Sequence, residues 1–211
     1  SITLINKNTF TGCISIEEIE IPNSVTIIES NAFYNCSSLK SIKLSSSLTF
    51  ISNMTFFGCT SLTFIEIPST VTKIGISAFY NCTSLKSVTF ASSSVTEIGM
   101  NAFYNCSSLD QIIIPSSVTE IKANAFQFCK SLKSVSFSIP SSLNSIEKFV
   151  FDGCLSLKKV FIPSSVLIGE NSFPPKTDII FIPTPELVDG NYGSYSFNPP
   201  PLPPDSTCFI Y

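Results

Sequence analysis

Three kinds of residue in this 211-residue chain could do chemistry: eight cysteines, three clustered carboxylates at Glu17, Glu18 and Glu20, and asparagines in Asn-X-Ser/Thr triplets at Asn35, Asn53, Asn81 and Asn105. Cysteines can form disulfides, bind a soft metal or act as nucleophiles. The chain has no His. Ser-His-Asp and Cys-His pairs, HExxH zinc sites and imidazole acid–base catalysis are therefore excluded. With only 8 Gly, no phosphate-cradling GxGxxG or GxxxxGK(S/T) loop occurs. The clustered carboxylates could hold a cation or work as an acid–base pair, but Lys40 and Lys43 follow them 23 residues on. A solvated, paired face is the reading that follows. No catalytic residue, metal site or cofactor is expected.

The cysteine positions say what must hold them. Cys13, Cys36, Cys59, Cys82, Cys106, Cys129 and Cys154 lie 23, 23, 23, 24, 23 and 25 residues apart. A Phe precedes each by three, at Phe10, Phe33, Phe56, Phe79, Phe103, Phe126 and Phe151, and Phe173 opens an eighth unit without its Cys. A fixed period in this range marks a solenoid, because one such unit cannot bury its own apolar face. Cysteines at one repeat position form a column. Neighbouring Cβ atoms in such a parallel ladder stand about 5 Å apart, beyond the roughly 3.8 Å of a disulfide. A linear ladder does not converge tetrahedrally on a metal either. The seven cysteines thus read as a buried, reduced, apolar column.

Each unit translates into one coil. In Leu109–Ile114, Leu109, Ile112 and Ile114 point inward while Asp110, Gln111 and Ile113 face out, the period-2 mark of a half-buried strand. Pro115 ends it, as Pro22, Pro68, Pro163 and Pro183 do elsewhere, because Pro cannot donate to a ladder. On the opposite limb, Ile28, Ala32, Phe33 and Cys36 fall at spacings that predict one or two turns of helix with one apolar face. The two longer steps come from Ala91–Ser94 and Ser136–Pro140, both just after the strand, at a corner. The expected fold is an α/β solenoid of about eight 23–25-residue coils, with a parallel sheet on one face and short helical turns on the other.

Residues 1–183 form this solenoid, and the composition changes after Pro183. The run Asn198-Pro-Pro-Pro-Leu-Pro-Pro204 favours polyproline II and offers PxxP spacings. Residues 184–211, with Tyr192, Tyr195, Phe197 and Phe209, are expected to cap the last coil; Cys208 has no repeat partner. No comparable cap precedes Ile2, so the first coil is expected to rest on a packing partner, or the chain to be a fragment. Ser, Asn, Thr or a charge interrupts every apolar stretch before the roughly 20 residues of a membrane span, so no transmembrane segment is expected. A net charge of −3 without a basic run argues against nucleic acid as a partner. The chain starts at Ser1 with no charged-then-apolar leader, so a signal peptide is read as absent or removed.

The phrases Asn31-Ala-Phe-Tyr-Asn-Cys-Ser-Ser-Leu39, Ser77-Ala-Phe-Tyr-Asn-Cys-Thr-Ser-Leu85 and Asn101-Ala-Phe-Tyr-Asn-Cys-Ser-Ser-Leu109 resemble the leucine-rich repeats of the BspA-like family, as does the Ile114–Val118 corner. The resemblance covers roughly residues 2 to 183. It implies a surface protein of bacteria or parasitic protists that adheres to host matrix, cells or other microbes. It carries over no catalytic residues.

Function would then sit on outward strand positions of the concave sheet face: Glu17, Glu20, Lys40, Lys43, Phe64, Glu66, Lys86, Ile113, Lys133, Lys158, Phe161 and Phe181. Glu17 beside Lys40 and Glu20 beside Lys43 read as cross-strand pairs. Phe64, Ile113, Phe161, Ile179 and Phe181 suit a contact surface or partial cover by a loop or the tail. The expected function is non-catalytic binding of a protein or glycan partner, at a cell surface or outside the cell. The alternative is an intracellular scaffold packed in a larger assembly. The four Asn triplets are candidate glycosylation sites, or turn residues that the repeat itself generates.

Overall fold

A computed structural model describes residues 2–91 and 94–183 in full, and the backbone alone at Leu187–Val188 and Asn191–Tyr192, which pair antiparallel. The expected cap over residues 184–211, with its Tyr and Phe residues and Cys208, lies outside the fully described residues.

Among the described residues the chain winds through eight coils. One limb of each contributes a strand to the wide face: Glu18–Glu20, Ser41–Lys43, Phe64–Ile67, Ser87–Phe90, Gln111–Ile114, Ser134–Phe137, Lys159–Pro163 and Asp178–Ile182. Their pairing is parallel and in repeat register, as in Glu18 with Ser41, Phe64 with Ser87 and Gln111 with Ser134. Backbone bonds carry the ladder across the remaining junctions, for example from Thr63 N–H to Lys40 O at 3.2 Å and from Asp110 N–H to Lys86 O at 3.3 Å. A second, narrow sheet of two-residue strands runs along the other side, from Phe50–Ile51 to Leu167–Ile168, with Leu4–Ile5 paired to Ile27–Ile28.

The helical turns expected on the second limb are not present: among the described residues there is no helix. The residues two before and two after the column Phe sit at positive φ, as in Asn31 (61°) and Asn35 (55°), or Asn101 (56°) and Asn105 (53°). A right-handed helix cannot pass through a left-handed residue every fourth position. The limb is instead a string of tight turns. Alternate N–H groups close them within the coil, Tyr34 to Asn31 O (3.1 Å) and Cys36 to Phe33 O (3.2 Å). The groups between them donate to the next coil, Asn31 to Asn53 O (3.2 Å), Phe33 to Thr55 O (2.9 Å) and Asn35 to Phe57 O (2.7 Å). The limb thus satisfies its backbone partly between coils, which a helix would not do.

The core fills the space between the limbs. Phe10, Phe33, Phe56, Phe79, Phe103, Phe126, Phe151 and Phe173 stack in one column, with ring centroids 4.9–5.4 Å apart and nearly parallel planes. Stacked pairs of this kind add about 0.5–1.5 kcal/mol each beyond the burial of their area. Beside them, Cys36 through Cys154 are buried and unpaired, while Cys13 in the first coil is partly exposed. Each buried thiol donates to the carbonyl of the Phe one coil back, from Cys36 to Phe10 (3.0 Å) through Cys154 to Phe126 (3.2 Å). The same carbonyl also accepts the Cys N–H of its own coil, so both its lone pairs are used. Burial pushes the Cys36 thiol up to about 11 and raises Cys59, Cys82, Cys106 and Cys129 as well.

Candidate binding face

The wide sheet presents its outward residues in columns, one residue per coil. The charged ones nearest the start of the chain are paired. Lys40 Nζ lies 2.7 Å from Glu17 Oε2, and Lys43 Nζ lies 2.6 Å from Glu20 Oε1. Hydrogen bonding to Glu20 raises the Lys43 ammonium. Lys133 meets Asp110 at 2.8 Å, and Lys158 donates to its own coil at Leu155 O (3.1 Å). Pairs this exposed contribute about 0–1 kcal/mol each. Glu66 is exposed in the same outward row as Lys43. Lys86 has no ion-pair partner among the described residues. No group of His, Cys, Asp or Glu among them could hold a metal ion.

Apolar side chains interrupt this polar lawn. Phe64 is 42% exposed and Ile113 59% exposed. Phe161 is half-buried and stands in register with Ile180. Phe64 borders a groove of about 340 Å³ with Ile42, Leu44 and Pro68, and Ile113 borders a second of about 410 Å³ with Phe90 and Pro115.

The placement of Phe181 differs from the sequence reading. Taking Pro183 as the counterpart of Pro163 sets Phe181 outward, but the strands pair Lys159 with Asp178 and Ile162 with Phe181. Ile162 is buried, so Phe181 belongs to the inward row, as Ile179 does opposite the buried Val160. A slip of one residue exchanges the faces of a strand. Phe181 is 55% exposed because it lies on the last described coil rather than on the outer face.

Two features escaped sequence reasoning. Tyr34, Phe57, Tyr80 and Tyr104 stack on the turn limb at 4.8, 4.6 and 4.5 Å, and Phe128 meets Tyr104 edge-on at 5.4 Å. Burial and the Tyr80 hydroxyl raise the Tyr104 phenol. The signal was an aromatic directly after the column Phe in four consecutive coils. The second is the side-chain bonding of the triplet asparagines, whose turn positions the repeat itself suggested. Asn35, Asn81 and Asn105 occupy left-handed positions, and Asn105 Nδ2 donates to Asn81 Oδ1 at 2.8 Å. Asn53 is exposed, and its Oδ1 accepts from Ile76 N–H at 2.8 Å. Gly58 holds the position in its coil that Asn35 holds one coil back, and a Cβ there would collide with the Asn35 side chain.

Parallel strands, one per 23-residue coil, over columns of Leu, Ile and Phe define a leucine-rich repeat solenoid. The model of the BspA type leucine rich repeat region matches residues 3–133 and 49–180, with six copies. The chain belongs to that family. Among solved structures it is similar to a leucine-rich repeat protein from Eubacterium ventriosum, at 26% identity and a TM-score of 0.74 over 89% of this chain. It spans 50% of that protein's length. The leucine rich repeat protein of T. pallidum is 32% identical with a TM-score of 0.63, over 77% of this chain and 72% of that one. A leucine rich cell surface protein from Faecalibacterium prausnitzii is 28% identical with a TM-score of 0.54, over 86% of this chain and 65% of that one. Among curated proteins, none matches the sequence. Among the described residues no helix is long and apolar enough to cross a membrane.

Proposed function

We propose that this is a non-catalytic binding protein of the cell surface, which holds a protein or glycan partner on the outward columns of its wide sheet. The observation that carries the reading is the exposure of Phe64 and Ile113 beside two grooves, on a face whose other outward residues through the sixth coil are polar or ion-paired, with Phe161 half-buried on the seventh. Large apolar side chains at a groove, ringed by polar ones, are what an interface needs at its centre. The description of the Faecalibacterium prausnitzii relative as a cell surface protein supports the location. The lack of His removes the common acid–base and nucleophile pairs and favours binding over turnover. Cross-linking of the intact protein on its own cells, repeated with Phe64→Ser and Phe161→Ser, tests the face: the set of cross-linked partners shrinks with either variant. An unchanged set refutes the role of the sheet, and failure of a membrane-impermeant label to reach the protein on whole cells refutes the location.

A further inference from the structure

In a repeat protein each column supplies its own control. The outward column that runs Glu20, Lys43, Glu66, Thr89, Ile113, Ser136, Phe161 and Ile180 is a polar run for its first four coils, and is apolar at Ile113 and again at Phe161 and Ile180. Ile113 breaks it, at 59% exposure, where neither burial nor a backbone requirement asks for an apolar side chain. It stands on the fifth coil, between the corners lengthened by Ala91–Ser94 and by Ser136–Pro140. The groove of about 410 Å³ beside it is lined by Phe90, Pro115 and Ser138, the last from one of those corners. At the other end of the same strands lies a polar shelf of about 560 Å³ formed by Lys86, Ser108, Ser131 and Lys133. Ser87 and Gln111 border both, so the two hollows are neighbours on the sheet. On that shelf Asp110 is taken by Lys133, which leaves the Lys86 ammonium without a carboxylate among the described residues.

We propose that coils four to six form one bipartite site for an extended peptide segment of a partner protein. This rests on the sheet face being the binding surface. A large apolar side chain of the segment enters the groove at Ile113, and an acidic side chain meets Lys86. Lys86 stands at the start of its strand and Ile113 three positions along the neighbouring one. At roughly 3.3 Å per residue the two lie about 10 Å apart, the span of three residues of polyproline II chain at about 3.1 Å each, whose side chains return to one face every third position. The groove's most exposed apolar side chain is the aliphatic Ile113, while its Phe90 is half-buried, which suits a Leu or Phe side chain better than the flat face of a sugar ring. Serine hydroxyls and Gln111 along the path supply hydrogen bonds to the segment's backbone.

The test is selection of random nine-residue peptides displayed on phage against the whole chain, followed by titration of the synthetic winners. Winners carry Asp or Glu three residues from Leu, Phe or Ile, and bind more weakly as salt rises. Lys86→Gln weakens them roughly two- to fivefold, as loss of one exposed ion pair does, and Lys86→Glu turns the acidic preference into a basic one. Ile113→Ser weakens them about tenfold or more, as loss of a buried apolar contact does. Both residues are exposed, so both variants keep the fold, which an unchanged melting curve checks. Winners that respond to Phe64→Ser or Phe161→Ser but not to Lys86 or Ile113 overturn this site and leave the sheet face standing. Winners indifferent to all four positions, or no winners at all, overturn both.

Discussion

On the turn limb, the residues two before and two after the column Phe sit at positive φ in coil after coil, and most of their types follow that demand, as in Asn8 with Gly12, Asn31 with Asn35 and Asn101 with Asn105, while Met54, Ser77, Phe128 and Phe149 depart from it. On the sheet limb the outward residues bear no such demand, and they range from Glu20 through Lys43 and Ile113 to Phe161. The sheet backbone accepts any side chain that leaves the pleat on the solvent side. The turn backbone accepts few, because a left-handed residue with a Cβ is strained unless it is Gly, Asn or Asp. Variation on the sheet limb is therefore free to serve a ligand, whereas much of the turn limb's sequence is spent on holding its conformation.

The largest test of this division is in the core that both limbs share. Phe103→Ala, in the middle of the ring column, costs about 3–5 kcal/mol in urea unfolding, while Phe64→Ser on the sheet face stays within roughly 0.5–1 kcal/mol. Equal losses would mean that the face is structural. The thiol column comes next. Cys82→Ala removes packing and the S–H bond to Phe56 O, and costs about 1–3 kcal/mol at neutral pH. The sign of its pH dependence follows from burial, which raises the folded thiols. Unfolded thiols ionise above about pH 9 while folded ones stay protonated. The thiols' stability is therefore intact below pH 9 and falls as pH climbs, by up to about 1.4 kcal/mol per thiol per pH unit. For Cys36 the fall ends near its folded value of about 11. Thermal melts from pH 7 to 11 show a steep alkaline loss, which Cys82→Ala makes shallower.

Smaller effects separate the limbs directly. Asn101→Val, at φ 56°, costs about 1–3 kcal/mol, and Phe149→Asn, at φ 60°, gains about 1 kcal/mol in the same unfolding assay. If Phe149→Asn destabilises the protein, the ring is holding its coil and the conformational account of that column fails. Least affected is the sheet's charged rim. Lys40→Gln, which breaks the pair with Glu17, shifts stability by about 0–1 kcal/mol, and high salt erases the shift.

Much of this was legible in the sequence, because a column repeats its evidence. Seven Cys and eight Phe at one spacing announced the coil, and the alternation in Leu109–Ile114 separated its faces correctly. The turn limb was misread because Ile28, Ala32, Phe33 and Cys36 are spaced as a helical face would be. The contrary signal was the paired Asn or Gly positions, which mark left-handed backbone rather than a helix interior. Phe181 was misplaced because its coil is one residue out of frame with Pro163, a shift that only strand register reveals. The bond from each thiol to the Phe carbonyl one coil back could not be read at all, since it joins residues 26 to 28 positions apart through the geometry of neighbouring turns. The site at Ile113 was half legible: the exposed Ile showed, but its groove depends on where the Ser136–Pro140 corner folds.

The ring column has one more consequence. The rings meet almost face on, at 4.9–5.4 Å, from Phe10 to Phe173, so along this column each coil offers the same surface to the coils on either side. A gene carrying such a segment can gain or lose a stretch of 23 codons by unequal recombination and leave the ring column unbroken in the product. Each event moves the two halves of the array apart or together by one strand spacing, about 4.8 Å. The reach of the molecule is thus heritable separately from its specificity, and copy number can drift between lineages while the surface on any single coil stays the same.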